Sequence, residues 1–188
     1  MKKNIVIYFL ILCFLNVNSQ NTFFQSYGGN GNEYGESIIS CMDSGFAAIG
    51  ATESYGNGLT DLYVIKTNNN GEVIWHKTFG GPNIDYGNSI VETADSGFIA
   101  CGYSNSQNLN YDVFIVKMDK SGRLEWHKKY GGSDWYFGNK IIKSTINPNN
   151  FYVVGQTYNY GSINGDVFVL KINSLGDSLW MKTYGGNL

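Results

Sequence analysis

The chain has 188 residues, 43% hydrophobic and 15% charged, with a formal net charge of -2. That is globular composition, which excludes a disordered chain, and the lack of a Lys/Arg surplus or cluster excludes an electrostatic nucleic-acid binder. Its 24 glycines and 2 prolines stand beside 14 tyrosines and 11 phenylalanines, a mixture that predicts many tight turns between aromatic-rich strands.

In chain order, the first segment stands apart. Lys2 and Lys3 precede an apolar run over 5–15 and a polar patch over 16–20. The run is short for a bilayer span, and the order of regions is that of a secretory signal peptide, predicted over 1–19. Val17 and Ser19 are the small residues before the cut, leaving Gln20 as the new N-terminus of a domain over 20–188. Leu12 before Cys13 argues against a lipoprotein signal. The expectation is a secreted protein, in the periplasm, at the cell surface or outside the cell, with no stable membrane span once the signal is removed. Cys41 and Cys101 then remain; they fall at different points of the repeat, a turn and a strand, and read as small apolar fillers.

Next comes a triplet that recurs. Tyr27-Gly28-Gly29 returns as Phe79-Gly80-Gly81, Tyr130-Gly131-Gly132 and Tyr184-Gly185-Gly186, at spacings of 52, 51 and 54. Trp75, Trp126 and Trp180 stand four residues before the triplet, with Phe23 in that place at the front. Asp61, Asp112 and Asp166 recur in step, as do Lys66, Lys117 and Lys171, and Gly50, Gly102 and Gly155. Units are set at about 30–80, 81–131 and 132–186.

Each unit reads as four strands. The first are predicted at 37–40, 89–92 and 140–143, the second at 46–52, 98–104 and 151–157. The third are predicted at 62–67, 113–118 and 167–172, and the fourth at 73–78, 124–129 and 178–183, divided by "DSG", "NNNG", "KSG" and "SLG" turns. A further strand is expected over 23–27. The third strands, "LYVI", "VFIV" and "VFVL", are apolar at every position, so both faces must be covered, whereas tightly turned strands are antiparallel. Sheets stacked radially satisfy both facts. The fold class is all-β: three four-stranded antiparallel β-propeller blades plus an extra N-terminal strand, a partial or open propeller.

The unit endings "NNNGEVIWHKTFGG", "KSGRLEWHKKYGG" and "SLGDSLWMKTYGG" resemble the repeats of secreted bacterial β-propeller proteins of Bacteroidetes type, lipoprotein-like chains among them. They are more loosely similar to the blade endings of quinoprotein-like propellers. The resemblance implies the fold and an extracytoplasmic setting; it implies no particular activity.

The recurring residues read as architecture. The tryptophans are wedges between blades rather than a ligand platform. Asp and Lys five apart fall on opposite strand faces, and an Asp at a strand entrance accepts turn N–H groups. His76 and His127 follow the tryptophans, with Met181 in the third place, on outer strands one blade apart, so no metal site is expected. The Gly-Gly doublets lack the helix and Lys-Ser/Thr of a phosphate loop and read as blade crossovers. "NGNEYG" and "NIDYG" carry too few alternating carboxylates for a calcium loop. No "GxSxG" occurs, no catalytic residue and no cofactor is assigned, and the polar residues expected along the axis are Ser37, Ser89, Glu92, Lys140 and Lys143.

Departures from the repeat mark the candidate site. Trp135 and Tyr136 stand where the previous unit has Ile84 and Asp85, and the loops between second and third strands vary. In an up-and-down blade those loops open on the same face as the crossover. Trp135, Tyr136, Tyr55, Tyr111, Tyr158 and Tyr160 are therefore expected to share one face, suited to a protein or glycan ligand. The function expected is a non-catalytic scaffold or binding module; the alternative is a fragment of a larger carbohydrate-active or quinoprotein-like enzyme. Three units fall short of the usual four or more, so either the chain is a piece of a longer propeller or copies associate to complete a ring.

Overall fold

The structure, a computed structural model, describes residues 23–106, 110–158 and 164–185. The expected signal segment, Tyr160 and Gly186 lie outside them. The described residues are all-β, with twelve strands in three four-stranded sheets. Blade 1 holds β1 (Glu33–Ser40), β2 (Phe46–Thr52), β3 (Asp61–Thr67) and β4 (Val73–Phe79). Blade 2 holds β5 (Asp85–Glu92), β6 (Phe98–Ser104), β7 (Asp112–Met118) and β8 (Leu124–Tyr130). Blade 3 holds β9 (Trp135–Lys143), β10 (Asn150–Tyr158), β11 (Gly165–Asn173) and β12 (Ser178–Tyr184). Consecutive strands pair antiparallel, and the sheets form an open stack of propeller-type blades.

The inner strand of each blade packs on the inner half of its neighbour, β5 against β1, β2 and β3, and β9 against β5, β6 and β7. Each blade thus has an entry face, turned to the preceding blade, and an exit face, turned to the following one. One core joins the exit face of blade 1 (Ala47, Ile49, Leu62, Val64) to the entry face of blade 2 (Ile90, Phe98, Ala100, Phe114, Val116). The second joins the exit face of blade 2 (Ile99, Cys101, Val113, Ile115) to the entry face of blade 3 (Ile141, Phe151, Phe168, Leu170). Burial on both sides is why β3 and β7 are buried along their whole length and carry no polar alternation. Cys41 and Cys101 are buried and free.

The recurring Trp contact is a joint between blades. Trp75 lies 5.9 Å from the Phe98 ring, donates its indole N–H to the Lys120 carbonyl at 3.0 Å, and covers Gly122 of the next blade. Trp126 covers Gly176 in the same way, and the Tyr130 hydroxyl donates to the Gly176 carbonyl. Residues 23–27 correct the expectation of an extra strand: they pair with no sheet. Instead Phe23 sits 6.1 Å from Phe46 and covers Gly71, while the Tyr27 hydroxyl donates to the Gly71 carbonyl at 2.5 Å. An aromatic side chain filling this socket satisfies blade 1 without a ladder.

The recurring Asp explains the first glycine of each doublet. A Cβ at Gly80, Gly131 or Gly185 would stand 2.2, 1.9 or 1.6 Å from Oδ1 of Asp61, Asp112 or Asp166. Asp61 also accepts the Gly58 N–H at 2.9 Å, and burial raises its carboxyl above the usual range. The recurring Lys serves the opposite blade edge. Lys66 pairs with Asp43 at 2.8 Å, and Lys117 with Asp95 at 3.1 Å and Glu125 at 3.0 Å. Blade 3 has no "DSG" turn, and Lys171 stands 5.5 Å over the Tyr152 ring.

Candidate functional site

The inner strands are longer than the sequence suggests. They begin at Glu33, Asp85 and Trp135 and run through Gly35, Gly87 and Gly138, which read as turn punctuation. Each carries a bulge just after that glycine. Gly35 pairs with Gly50 and Ser37 with Ile49, so Glu36 has no partner across the ladder; Asn88 and Asn139 are skipped in the same way. A bulge re-aims the side chain it frees. It also explains the second-strand glycines: a Cβ at Gly50, Gly102 or Gly155 would fall 1.6, 1.7 or 1.9 Å from the carbonyl oxygen of Tyr34, Tyr86 or Phe137.

Glu36, Asn88 and Asn139 converge on one shallow, open cup of about 660 Å³, completed by Tyr86, Tyr103, Trp135, Phe137, Gln156 and Tyr158. It opens at the crossover end of the inner strands. There the second-to-third-strand loops meet the crossovers, through the Thr60–Ile84 bridge and the Tyr136 N–H donating to the Tyr111 carbonyl at 2.7 Å. The face inferred from strand order is thus the face on which the cup opens.

The aromatic lining is continuous. Tyr34 and Tyr86 lie 6.0 Å apart, and Tyr86 stacks on Tyr103 at 5.3 Å and 6°. Tyr103 meets the edges of Phe137 at 5.0 Å and Tyr111 at 5.6 Å; Tyr111 meets Trp135 at 5.7 Å, and Phe137 meets Tyr158 at 6.0 Å. Edge-to-face and offset geometries satisfy the ring quadrupoles and hold each ring in place. Tyr86 donates to Glu36 at 2.9 Å, Tyr158 to Gln156 at 3.1 Å, and the Asn88 amide to the Gly138 carbonyl at 2.8 Å. Burial, then the Glu36 bond, pushes the Tyr86 phenol well up, and burial raises Tyr103, so both remain neutral donors at physiological pH. No Lys or Arg lines the cup among the described residues.

Of the expected residues, the structure brings Trp135, Tyr111 and Tyr158 together. Tyr136 points away: it packs 5.7 Å from Phe168 in the core between blades 2 and 3. Neighbours on a strand face opposite sides, so Trp135 and Tyr136 cannot share the site. Tyr55 lies elsewhere, against Tyr63 at 5.7 Å and His76 at 5.3 Å, its hydroxyl donating to the Gly28 carbonyl at 2.9 Å. Tyr160 lies outside the described residues. Of the axial polar residues expected, Ser89 is buried and Glu92 accepts the Met42 N–H of blade 1 at 2.8 Å. Sequence reasoning missed Tyr86, Tyr103, Phe137, Glu36, Asn88, Asn139 and Gln156. The signal was the recurring aromatic-Gly-polar triplet at 34–36, 86–88 and 137–139.

His76 and His127 stand on β4 and β8, each against a ring of its own blade, Tyr63 at 5.6 Å and Phe114 at 5.8 Å. Among the described residues no group of three or more His, Cys, Asp or Glu could hold a metal ion, and no helix is long and apolar enough to cross a membrane. A scan against protein-family models and a search of curated proteins found no match.

Proposed function

We propose that this protein is a secreted, non-catalytic binding module of propeller blades whose aromatic cup takes a neutral glycan. One observation carries the reading. Three bulges, one per blade, aim Glu36, Asn88 and Asn139 into a cup walled by Tyr86, Tyr103, Trp135, Phe137 and Tyr158. A pyranose has apolar C–H faces and a rim of hydroxyls. Ring faces suit the first; amides and a carboxylate suit the second. The volume falls within the roughly 300–1,000 Å³ of small-ligand sites. A lining without a cation disfavours acidic sugars. Glycoside hydrolysis needs a pair of carboxyls, and the described lining carries one, Glu36. The signal-like segment supports export.

The test is retention on a panel of immobilised neutral and acidic glycans. Trp135→Ala and Asn139→Ala should lose retention on the neutral ligands, while Tyr55→Ala, outside the cup, keeps it. Equal retention of all three variants, or none by the wild type, rejects the site.

A further inference from the structure

A second cleft, of about 330 Å³, opens between blades 1 and 2 and shares no residue with the cup. The crossover after β4 lines it from one side, β7 and β8 from the other. At the joint between blades 2 and 3 the same repeat positions are packed. Tyr136 lies 5.7 Å from Phe168, Met181 joins it on the core, and Thr183 follows on the same strand face. At the joint between blades 1 and 2 the counterparts are Asp85, Phe114, His127 and Lys129. Three of these four are ionisable, and all of them line the cleft.

Asp85 is 1% exposed. Its Oδ2 accepts the Gly81 N–H at 2.8 Å and the Ser106 hydroxyl, whereas its Oδ1 is buried with no hydrogen-bond partner. A buried carboxylate oxygen left unpaired is costly, and a ligand donor removes that cost. Asp61 flanks Gly80 together with Asp85, and its carboxyl is raised first by burial and further by the Asp85 charge. Among the described residues no Lys or Arg forms an ion pair with either carboxyl. The Lys129 Nζ stands 5.6 Å over the Phe114 ring and pairs with no carboxylate among the described residues. The His127 ring meets Phe114 at 5.8 Å. Phe79, Pro82 and Leu124 supply apolar walls.

We propose that this cleft binds a small zwitterion with an apolar body, a free amino acid or a short peptide, its ammonium on Asp85 Oδ1 and its carboxylate on Lys129 and His127. A simple anion leaves Oδ1 unpaired, and a simple cation leaves Lys129 without a partner; a zwitterion answers both. A metal ion lacks a third ligand, since no group of three or more His, Cys, Asp or Glu is gathered among the described residues. The volume lies at the small end of ligand sites, roughly 300–1,000 Å³, which suits one apolar side chain.

Isothermal titration calorimetry of the full chain tests this, with leucine, phenylalanine and glycyl-leucine as probes. Leucinamide lacks the carboxylate, isocaproate lacks the ammonium, and calcium chloride supplies a metal ion alone. Leucine or phenylalanine should give saturable heat, with leucinamide and isocaproate weaker by about tenfold or more. Asp85→Asn and Lys129→Gln should each weaken binding by about tenfold, and Tyr55→Ala should leave it unchanged. Lys129 is half-buried and holds no crossover, so its variant keeps the far-UV circular dichroism of the wild type even where Asp85→Asn loosens the fold. Binding of glycyl-leucine without leucine supports the cleft, with a peptide as its ligand. No heat from any zwitterion, heat from calcium chloride alone, leucinamide binding as tightly as leucine, or zwitterion binding unchanged in Lys129→Gln overturns it.

Discussion

Tyr103 is the centre of the aromatic wall, and replacing it by Ala is the sharpest test of how that wall is built. The ring stacks on Tyr86 and meets the edges of Phe137 and Tyr111, three pairs drawn from β5, β9 and the loop before β7. Each such pair contributes about 0.5–1.5 kcal/mol beyond burial, and the half-buried side chain adds about 1 kcal/mol for lost apolar contact. Contacts are not strictly additive, so Tyr103→Ala should cost about 3 kcal/mol, a fall in Tm of about 6–12 °C for a domain of this length. Tyr103→Phe keeps all three ring contacts and should stay within about 0.5 kcal/mol of wild type. Urea denaturation gives the stabilities, and near-UV circular dichroism reports the order of the aromatic wall. If Tyr103→Phe lost as much as Tyr103→Ala, the hydroxyl rather than the ring packing would be the source of stability. If Tyr103→Ala lost less than about 1 kcal/mol, the wall would be decoration on a fold held elsewhere.

Two further outcomes are expected. The two glycines of one doublet should behave oppositely: Gly131→Ala drives its Cβ to 1.9 Å from the Asp112 carboxyl and should cost about 1–3 kcal/mol, whereas Gly132 has nothing within 4 Å and its Ala variant should be neutral in the same denaturation assay. Asp95 is held down at about 2, first by the Thr93 hydroxyl and then by Lys117 and the Gly97 N–H. Its folded value lies below the ordinary 3.8, so its contribution is complete above about pH 4 and lost as pH falls towards 2; Asp95→Asn should flatten that part of the acid-unfolding curve.

Much of the architecture was legible because repetition exposes it. Asp61, Asp112 and Asp166 in step, and third strands apolar at every position, required sheets covered on both sides by their neighbours, which holds for β3 and β7 but not for β11, where Val167 is 47% exposed. The tail over 23–27 looked like a strand because it shares the phase of β12, but phase alone does not supply a partner ladder, and Phe23 and Tyr27 act through side chains. The site was half legible for a different reason. Searching for departures from the repeat found Trp135, yet most of the cup is built from residues that obey it. Tyr86 and Phe137 occupy one repeat position, and Glu36, Asn88 and Asn139 another; only the bulge turns those last three onto a common axis, and a bulge leaves little trace beyond a glycine. Tyr136 departs from the repeat for a structural reason. Its counterparts Glu33 and Asp85 accept the N–H of Gly29 and Gly81 and hold their crossovers, whereas Tyr136 fills the core beside Phe168.

Because each sheet touches only its immediate neighbours, resistance to opening cannot be uniform along the chain. Blade 2 is clamped from both directions, and β7 is buried along its whole length. Blade 1 has one full neighbour and a short tail; blade 3 has one neighbour, and β11 alternates between covered and wet positions. Amide hydrogens should therefore exchange fastest in β11 and β12, more slowly in blade 1 and slowest in β6 and β7, a gradient that makes the middle sheet the keel of the molecule and the last one its first to fray.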